Sequence, residues 1–85
     1  MKETKQEIPK WFNGQIYDKG AEVTNRFGGG SCYLNNLELS IYDYIIGASD
    51  MIELGLASSY YIKDLREGLD WFRKNNTNAY MILLD

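Results

Sequence analysis

Carboxylates are the side chains of this sequence that come closest to forming a chemical site. Asp43 and Asp50 stand seven residues apart, which is two turns of a helix, and Asp64, Glu67 and Asp70 follow at three-residue intervals. Carboxylates at such spacings can hold magnesium or act as the acid and base of a glycosidase. The second group is interspersed with basic residues at the spacing of ordinary surface ion pairs, namely Lys63, Arg66, Arg73 and Lys74. We therefore interpret these carboxylates as a solvated face, and keep a small ligand-binding or metal-dependent hydrolytic protein as an alternative.

This chain lacks the residues that usually activate a nucleophilic side chain. The sequence contains no histidine, which excludes Ser-His and Cys-His sites and histidine-bound metals. Cys32 is the only cysteine and has no basic residue nearer in sequence than Arg26, so we expect a small buried side chain rather than a reactive thiol. The run 28–31 lacks the lysine and the following helix of a phosphate-binding loop, so we expect a hairpin loop. We predict that the chain is not an enzyme and has no catalytic, cofactor-binding or metal-binding residues.

The charge balance narrows the classes of partner. Nine basic and twelve acidic residues give a net charge of −3. A nucleic-acid binder typically shows a basic patch or stripe, so we expect no nucleic-acid partner. No stretch reaches the roughly 20 apolar residues that a membrane span requires, and no apolar run follows the charged start as it would in a signal peptide. We therefore expect a cytoplasmic protein without a membrane partner.

A single small domain must position all of these residues. The charge alternation at the start predicts a flexible N-terminal arm over 1–8, followed by one α+β domain over 9–85. Runs with β propensity at 15–17, 22–27 and 31–34 are separated by glycine-containing turns, which predicts an antiparallel hairpin or a three-stranded meander. So small a sheet is not stable alone, and we expect it to pack on the helices that follow.

Apolar periodicity and capping residues predict a helical hairpin after the strands. Asn35, with Glu38 three residues later, is the signature of a capping box and predicts a helix over about 36–54. A second helix is predicted over about 59–75, and a serine at its start can cap it.

The last segment is predicted to be a short helix over 78–84, capped by Thr77. An edge strand is the alternative, because so short an apolar run is ambiguous. The predicted fold is thus α+β, with a small N-terminal hairpin or meander packed on a two-helix hairpin and a short C-terminal helix.

The first predicted helix carries more apolar surface than a single contact needs. A helix lying on one layer needs a stripe somewhat over 100° wide, and Leu39, Tyr42 and Ile46 widen this one to roughly twice that. Tyr60 and Trp71 lie on one line of the second helix and could form a partly exposed aromatic stripe, covered within the monomer or by another molecule. Because few residues remain as cover, we predict that these five residues form the interaction surface of a homo-oligomer, a dimer or larger.

Several stretches carry a resemblance to known proteins: WFNGQIYDKG at 11–20, VTN at 23–25, ELSIYDYIIGA at 38–48, GLDWFRKNN at 68–76 and AYM at 79–81. They are similar to small proteins encoded by large tailed phages of marine cyanobacteria and related ocean bacteria, over nearly the whole chain after residue 8. The resemblance implies a viral origin, direct or by way of environmental sequence, and it brings no active-site motif. These phage proteins often have a Pro-Phe-Ser-Gly-like turn where this chain has Arg26-Phe27-Gly28-Gly29, which indicates a tolerant turn rather than a catalytic one.

The apolar surplus and the resemblance together predict a phage-type accessory protein that acts by protein–protein interaction and self-associates. Its further partner would be a host or phage protein, in the cytoplasm of the host cell. A minor virion or assembly component is a second alternative, beside the carboxylate chemistry above.

Overall fold

The computed structural model describes residues 6–12, 14–55 and 58–84. Its elements, in chain order, are strands β1 (Ala21–Thr24) and β2 (Ser31–Leu34), then helices α1 (Asn36–Glu53), α2 (Ser59–Asn75) and α3 (Thr77–Ala79), the last continuing as a π-helical turn (Tyr80–Leu84). The predicted α+β class is confirmed: a small antiparallel hairpin is followed by a helical hairpin and a short C-terminal helix.

The sheet is a two-stranded hairpin and not a meander. Its strands pair antiparallel, with Ala21 opposite Leu34 and Thr24 opposite Ser31. The third β-prone run, 15–17, forms no strand, because its backbone bonds to side chains of α1 instead of to a neighbouring strand. The Tyr17 N–H donates to Ser40 Oγ at 2.9 Å, and Asn36 Nδ2 donates to the Tyr17 carbonyl at 3.1 Å.

Helix α1 begins at the predicted capping box. The Glu38 N–H donates to Asn35 Oδ1 at 2.8 Å, and the Asn35 N–H donates to Glu38 Oε1 at 2.9 Å. The pair satisfies two backbone donors that would otherwise lack partners at the start of the helix. The helix ends before Gly55, whose φ of +93° is the left-handed conformation that glycine adopts most readily.

The cap of α3 is Asn76, so the prediction of Thr77 as the cap is wrong. Asn76 Oδ1 accepts from the Ala79 N–H at 3.1 Å, whereas Thr77 Oγ1 donates back to the Arg73 carbonyl at 2.8 Å. A carboxamide oxygen and a hydroxyl can both cap a helix. Here the hydroxyl is used to finish α2, and the carboxamide before it starts α3.

The core lies where α1 meets α2, β2 and the C-terminal turn. Its largest fully buried side chains are Leu34, Ile41, Ile45 and Phe72. Gly68 lets the two long helices approach closely, because a Cβ built on it would stand 2.5 Å from Ile45 Cγ1. Gly47 has the opposite surroundings, since a Cβ there would meet no heavy atom within 4 Å among the described residues. Among the described residues, packing requires a glycine at position 68 but not at position 47.

The buried carboxylate of Glu38 connects the N-terminal segment to the junction between α2 and α3. Glu38 is 6% exposed, and its Oε2 accepts from Gln6 Nε2 at 2.8 Å and from Asn76 Nδ2 at 3.0 Å. Asn35 Nδ2 closes the network by donating to Gln6 Oε1 at 3.0 Å. Gln6 belongs to the predicted flexible arm, whose first five residues lie outside the described part of the chain. Within the described ranges, every buried side-chain nitrogen and oxygen has a hydrogen-bond partner.

Candidate interaction surface

The five residues predicted as one interaction surface do not lie together on the outside. Tyr42 and Trp71 are buried, at 6% and 9% exposure, and Leu39 and Ile46 are half-buried against the core. Tyr60 is the exposed member, at 73%. Segments outside the two helices cover much of the wide apolar arc of α1. They contribute Trp11 and Phe12, whose rings lie 6.1 and 5.2 Å from the ring of Tyr44, and Leu34 and Leu83, which join the core.

An apolar groove remains open beside Ile46. It has a volume of about 340 Å³ and runs between α1, α2 and the π-helical turn, with the β1–β2 loop along one side. Its apolar walls are formed by Ile45, Ile46, Leu65, Leu69, Leu83 and Leu84. Of the predicted surface, Ile46 is the member that lines this groove.

Phe27 is the most exposed large apolar side chain among the described residues. It belongs to the β1–β2 loop, lines the groove, and is 87% exposed. Its exposure was not predicted from the sequence, because Phe27 ends the β-prone run 22–27. The available signal was an aromatic residue directly before three glycines, where a hairpin loop is usually polar.

Hydrogen bonds from Asn25 hold the loop in place. The Asn25 N–H donates to the Gly30 carbonyl at 2.9 Å, its carbonyl accepts from the Gly28 N–H at 3.0 Å, and its Oδ1 accepts from the Phe27 N–H at 2.8 Å. Asn25 Nδ2 also donates to the Ile82 carbonyl at 2.9 Å, which ties the loop to the C-terminal turn. Gly28 and Gly29 have φ values of +90° and +114°, so glycine is required at both positions of this loop.

An ion pair crosses the rim of the groove. Arg26 donates to Asp50 at 3.0 Å, and both side chains remain between 40% and 50% exposed. The same guanidinium lies 5.7 Å from the centre of the Phe27 ring. The rim therefore presents one positive and one negative group beside an exposed aromatic ring.

A second, smaller hollow lies on a different face of α1. It has a volume of about 250 Å³ and is lined by Tyr44, Gly47, Ala48, Met51, Tyr61 and Asp64. Burial, together with the hydrogen bond and the charge of Asp64, raises the pKa of Tyr44 to about 12. Its phenol therefore stays neutral throughout the physiological range.

Two other carboxylates of the alternative hypothesis, those of Asp43 and Asp70, are bound to neighbouring side chains. Asp43 accepts from the Tyr17 hydroxyl, and this hydrogen bond and the charge of Asp43 raise the pKa of Tyr17. Asp70 accepts from Arg73 at 2.9 Å. Across 6–12, 14–55 and 58–84, no three side chains of the kinds that bind metals lie close enough to hold an ion.

Cys32 lies on β2, half-buried, and we expect its thiol to react slowly. Burial, followed by the charges of Glu38 and Glu22, raises the pKa of the Cys32 thiol. Since the thiolate is the reactive form, a raised pKa leaves less of it at neutral pH. Alkylation by iodoacetamide at pH 7.5 should be slower in the folded protein than in the same chain unfolded in urea, and should accelerate as the pH rises. An equal or faster rate in the folded protein would contradict this.

The chain matches no protein-family model, no curated protein and no solved structure. Within the part of the chain that the structure describes, no helix combines the length and apolar character needed to cross a membrane.

Proposed function

We propose that this chain is a phage-type accessory protein that acts by protein–protein binding, and that it binds first a second copy of itself. The phenyl ring of Phe27 from each copy occupies the groove of the other. One observation carries the proposal: a side chain as apolar as Phe27 is 87% exposed, directly beside a groove with apolar walls. Exposed apolar surface of this kind marks interaction sites in proteins.

The arrangement suits a two-fold dimer. A two-fold interface uses the same patch on both subunits, so that the projecting group and its receptor must share one face. Phe27 meets this condition because it lines the groove itself. A second copy turned by 180° brings each ring over the opposite groove. Arg26 and Asp50 carry opposite charges beside the groove, so the rim of each copy offers one positive and one negative group.

The two phenyl rings alone do not hold a dimer together. Burying one Phe side chain fully contributes about 1.5–3 kcal/mol, hence about 3–6 kcal/mol for the two rings. The loss of free rotation and translation opposes association by at least about 4 kcal/mol, which leaves about 2 kcal/mol or less. A micromolar dissociation constant corresponds to about 8 kcal/mol, so contacts of the groove walls must supply the greater part of a dimer of that affinity.

Replacement of Phe27 by serine should weaken self-association at least tenfold. Analytical ultracentrifugation over a concentration series measures the effect. The matched control is Tyr33→Ser, since Tyr33 is also an exposed aromatic residue, at 63%, but does not line the groove. Both variants should retain the helical circular dichroism of the parent, because both rings are mainly in solvent.

Two outcomes would refute the dimer. One is a parent protein that stays monomeric up to several hundred micromolar. The other is a Phe27→Ser variant that associates as strongly as the parent, which would place the interface elsewhere.

A further inference from the structure

The second hollow, defined by Tyr44, Gly47, Met51, Tyr61 and Asp64, has features that self-association leaves unexplained. It uses positions 44, 47, 48 and 51 of α1, whereas the groove uses 45, 46 and 49. At 100° per residue these two sets occupy different faces of the helix. A dimer formed through the groove therefore leaves the hollow accessible.

The geometry points to a binding site for a lysine side chain of a partner protein, with the four-carbon stem against the apolar walls and the ammonium group beside Asp64. Four apolar or aromatic side chains line the hollow: the phenols of Tyr44 and Tyr61, the thioether of Met51 and the methyl group of Ala48. Aromatic ring faces attract cations, and a neighbouring carboxylate adds a direct charge interaction. The four-carbon stem of lysine can lie along apolar walls, and its compact ammonium is a point charge that a single carboxylate can pair. Arginine also stacks on aromatic rings and is therefore the comparison ligand in the test below.

The negative charges around the second hollow favour a cationic ligand. Among the described residues, Asp64 is the one charged side chain that lines the hollow. The last turn of α1, residues 50–53, has the sequence Asp-Met-Ile-Glu and contains no basic side chain of its own. Arg26 pairs with Asp50 of this turn but lines the groove and not the hollow, so on the side of the hollow the negative end of the helix dipole favours a cation. Met51 belongs to this turn and forms part of the wall. The phenol of Tyr44 stays neutral, so it adds no second negative charge.

Gly47 supports binding in the hollow on grounds that do not depend on charge. A glycine inside a helix costs about 1 kcal/mol relative to alanine, and packing within the described chain does not require this one. Because Gly47 lines the hollow, a methyl group there would project into its open space. A bound side chain that lies against the backbone at this point accounts for a glycine that packing among the described residues does not require.

An NMR titration with two small probes tests the inference. The probes are N-acetyl-lysine amide and N-acetyl-norleucine amide, which share the four-carbon stem and differ in the ammonium group. We expect the lysine probe to cause saturable shifts at the amide of Gly47 and around Tyr44 and Tyr61, and the norleucine probe to bind at least tenfold more weakly. Equal binding of the two probes, or shifts centred elsewhere, overturns the inference. Equal binding of N-acetyl-arginine amide overturns the assignment to lysine.

Three variants separate binding from folding. Gly47→Ala and Asp64→Asn should each weaken binding of the lysine probe at least tenfold. Asp70→Asn is the matched control on α2, because Asp70 lies outside the hollow, and it should bind as the parent does. Gly47→Ala should also melt at a higher temperature, so its loss of binding cannot be ascribed to misfolding. Full binding by Gly47→Ala contradicts the site.

Discussion

Glu38→Ala should lower the free energy of unfolding by about 3 kcal/mol. The substitution removes the acceptor of three hydrogen bonds at once, from Gln6, from Asn76 and from the Asn35 N–H. The loss of a capping interaction costs about 1 kcal/mol, and each partly buried donor left without an acceptor adds about 1 kcal/mol or more. A domain of this size is stabilised by about 4–13 kcal/mol in total, so a loss of about 3 kcal/mol is a large share of its stability. Urea unfolding, followed by tryptophan fluorescence, measures the change.

Two further variants identify the cause of this loss. Glu53→Ala removes an exposed glutamate from the other end of α1, and should change stability by no more than about 0.5 kcal/mol. Glu38→Gln keeps one oxygen for the Gln6 and Asn76 carboxamides but turns an NH₂ group toward the Asn35 N–H, so its loss should fall between those of the other two. A loss of less than about 1 kcal/mol for Glu38→Ala would show that the network is not needed for folding.

Gly68→Ala and Gly47→Ala should change stability in opposite directions. Both substitutions lie within helices, so both gain up to about 1 kcal/mol of helix propensity. At position 68 the new methyl group must displace Ile45, which is 2% exposed and stands 2.5 Å from the Cβ position. Overpacking a core of this kind costs about 1–3 kcal/mol. We expect the two variants to differ by about 2 kcal/mol in free energy of unfolding, with Gly47→Ala the more stable.

The comparison of these glycine variants is informative because the chemical change is the same in both. Thermal and urea unfolding of the pair therefore isolate the helix–helix contact from helix propensity. Equal stabilisation by the two substitutions would mean that α1 and α2 do not approach as closely as the structure places them.

Local chemistry was sufficient to predict the helices. Asn35 and Glu38 cap α1 within four residues of one another, and the predicted bounds of α1 and α2 agree with the structure to within a residue. Such signals need only the residues of one turn. The prediction of Thr77 as a cap failed even at this range, since Asn76 and Thr77 can both cap a helix and the choice between them depends on the end of α2.

Burial was harder to predict, because it depends on contacts between distant parts of the chain. Glu38 looks like a helix-capping residue in sequence, yet its burial depends on Gln6 and Asn76, which lie 32 and 38 residues away. Tyr42 and Trp71 were expected to contribute to an outer surface, but both are buried in the structure. In contrast, the exposure of Phe27 follows from a loop geometry that periodicity does not describe.

The anchoring of the β1–β2 loop has a consequence for the affinity of the proposed self-association. Three successive glycines would otherwise sample many backbone states, and ordering each residue during binding costs about 1–2 kcal/mol. The four hydrogen bonds of Asn25 place this entropy loss in the folding of the free molecule. The loop backbone that carries Phe27 is thus preorganised before binding. Loosening the anchor would weaken the proposed dimer without removing any contact between its subunits.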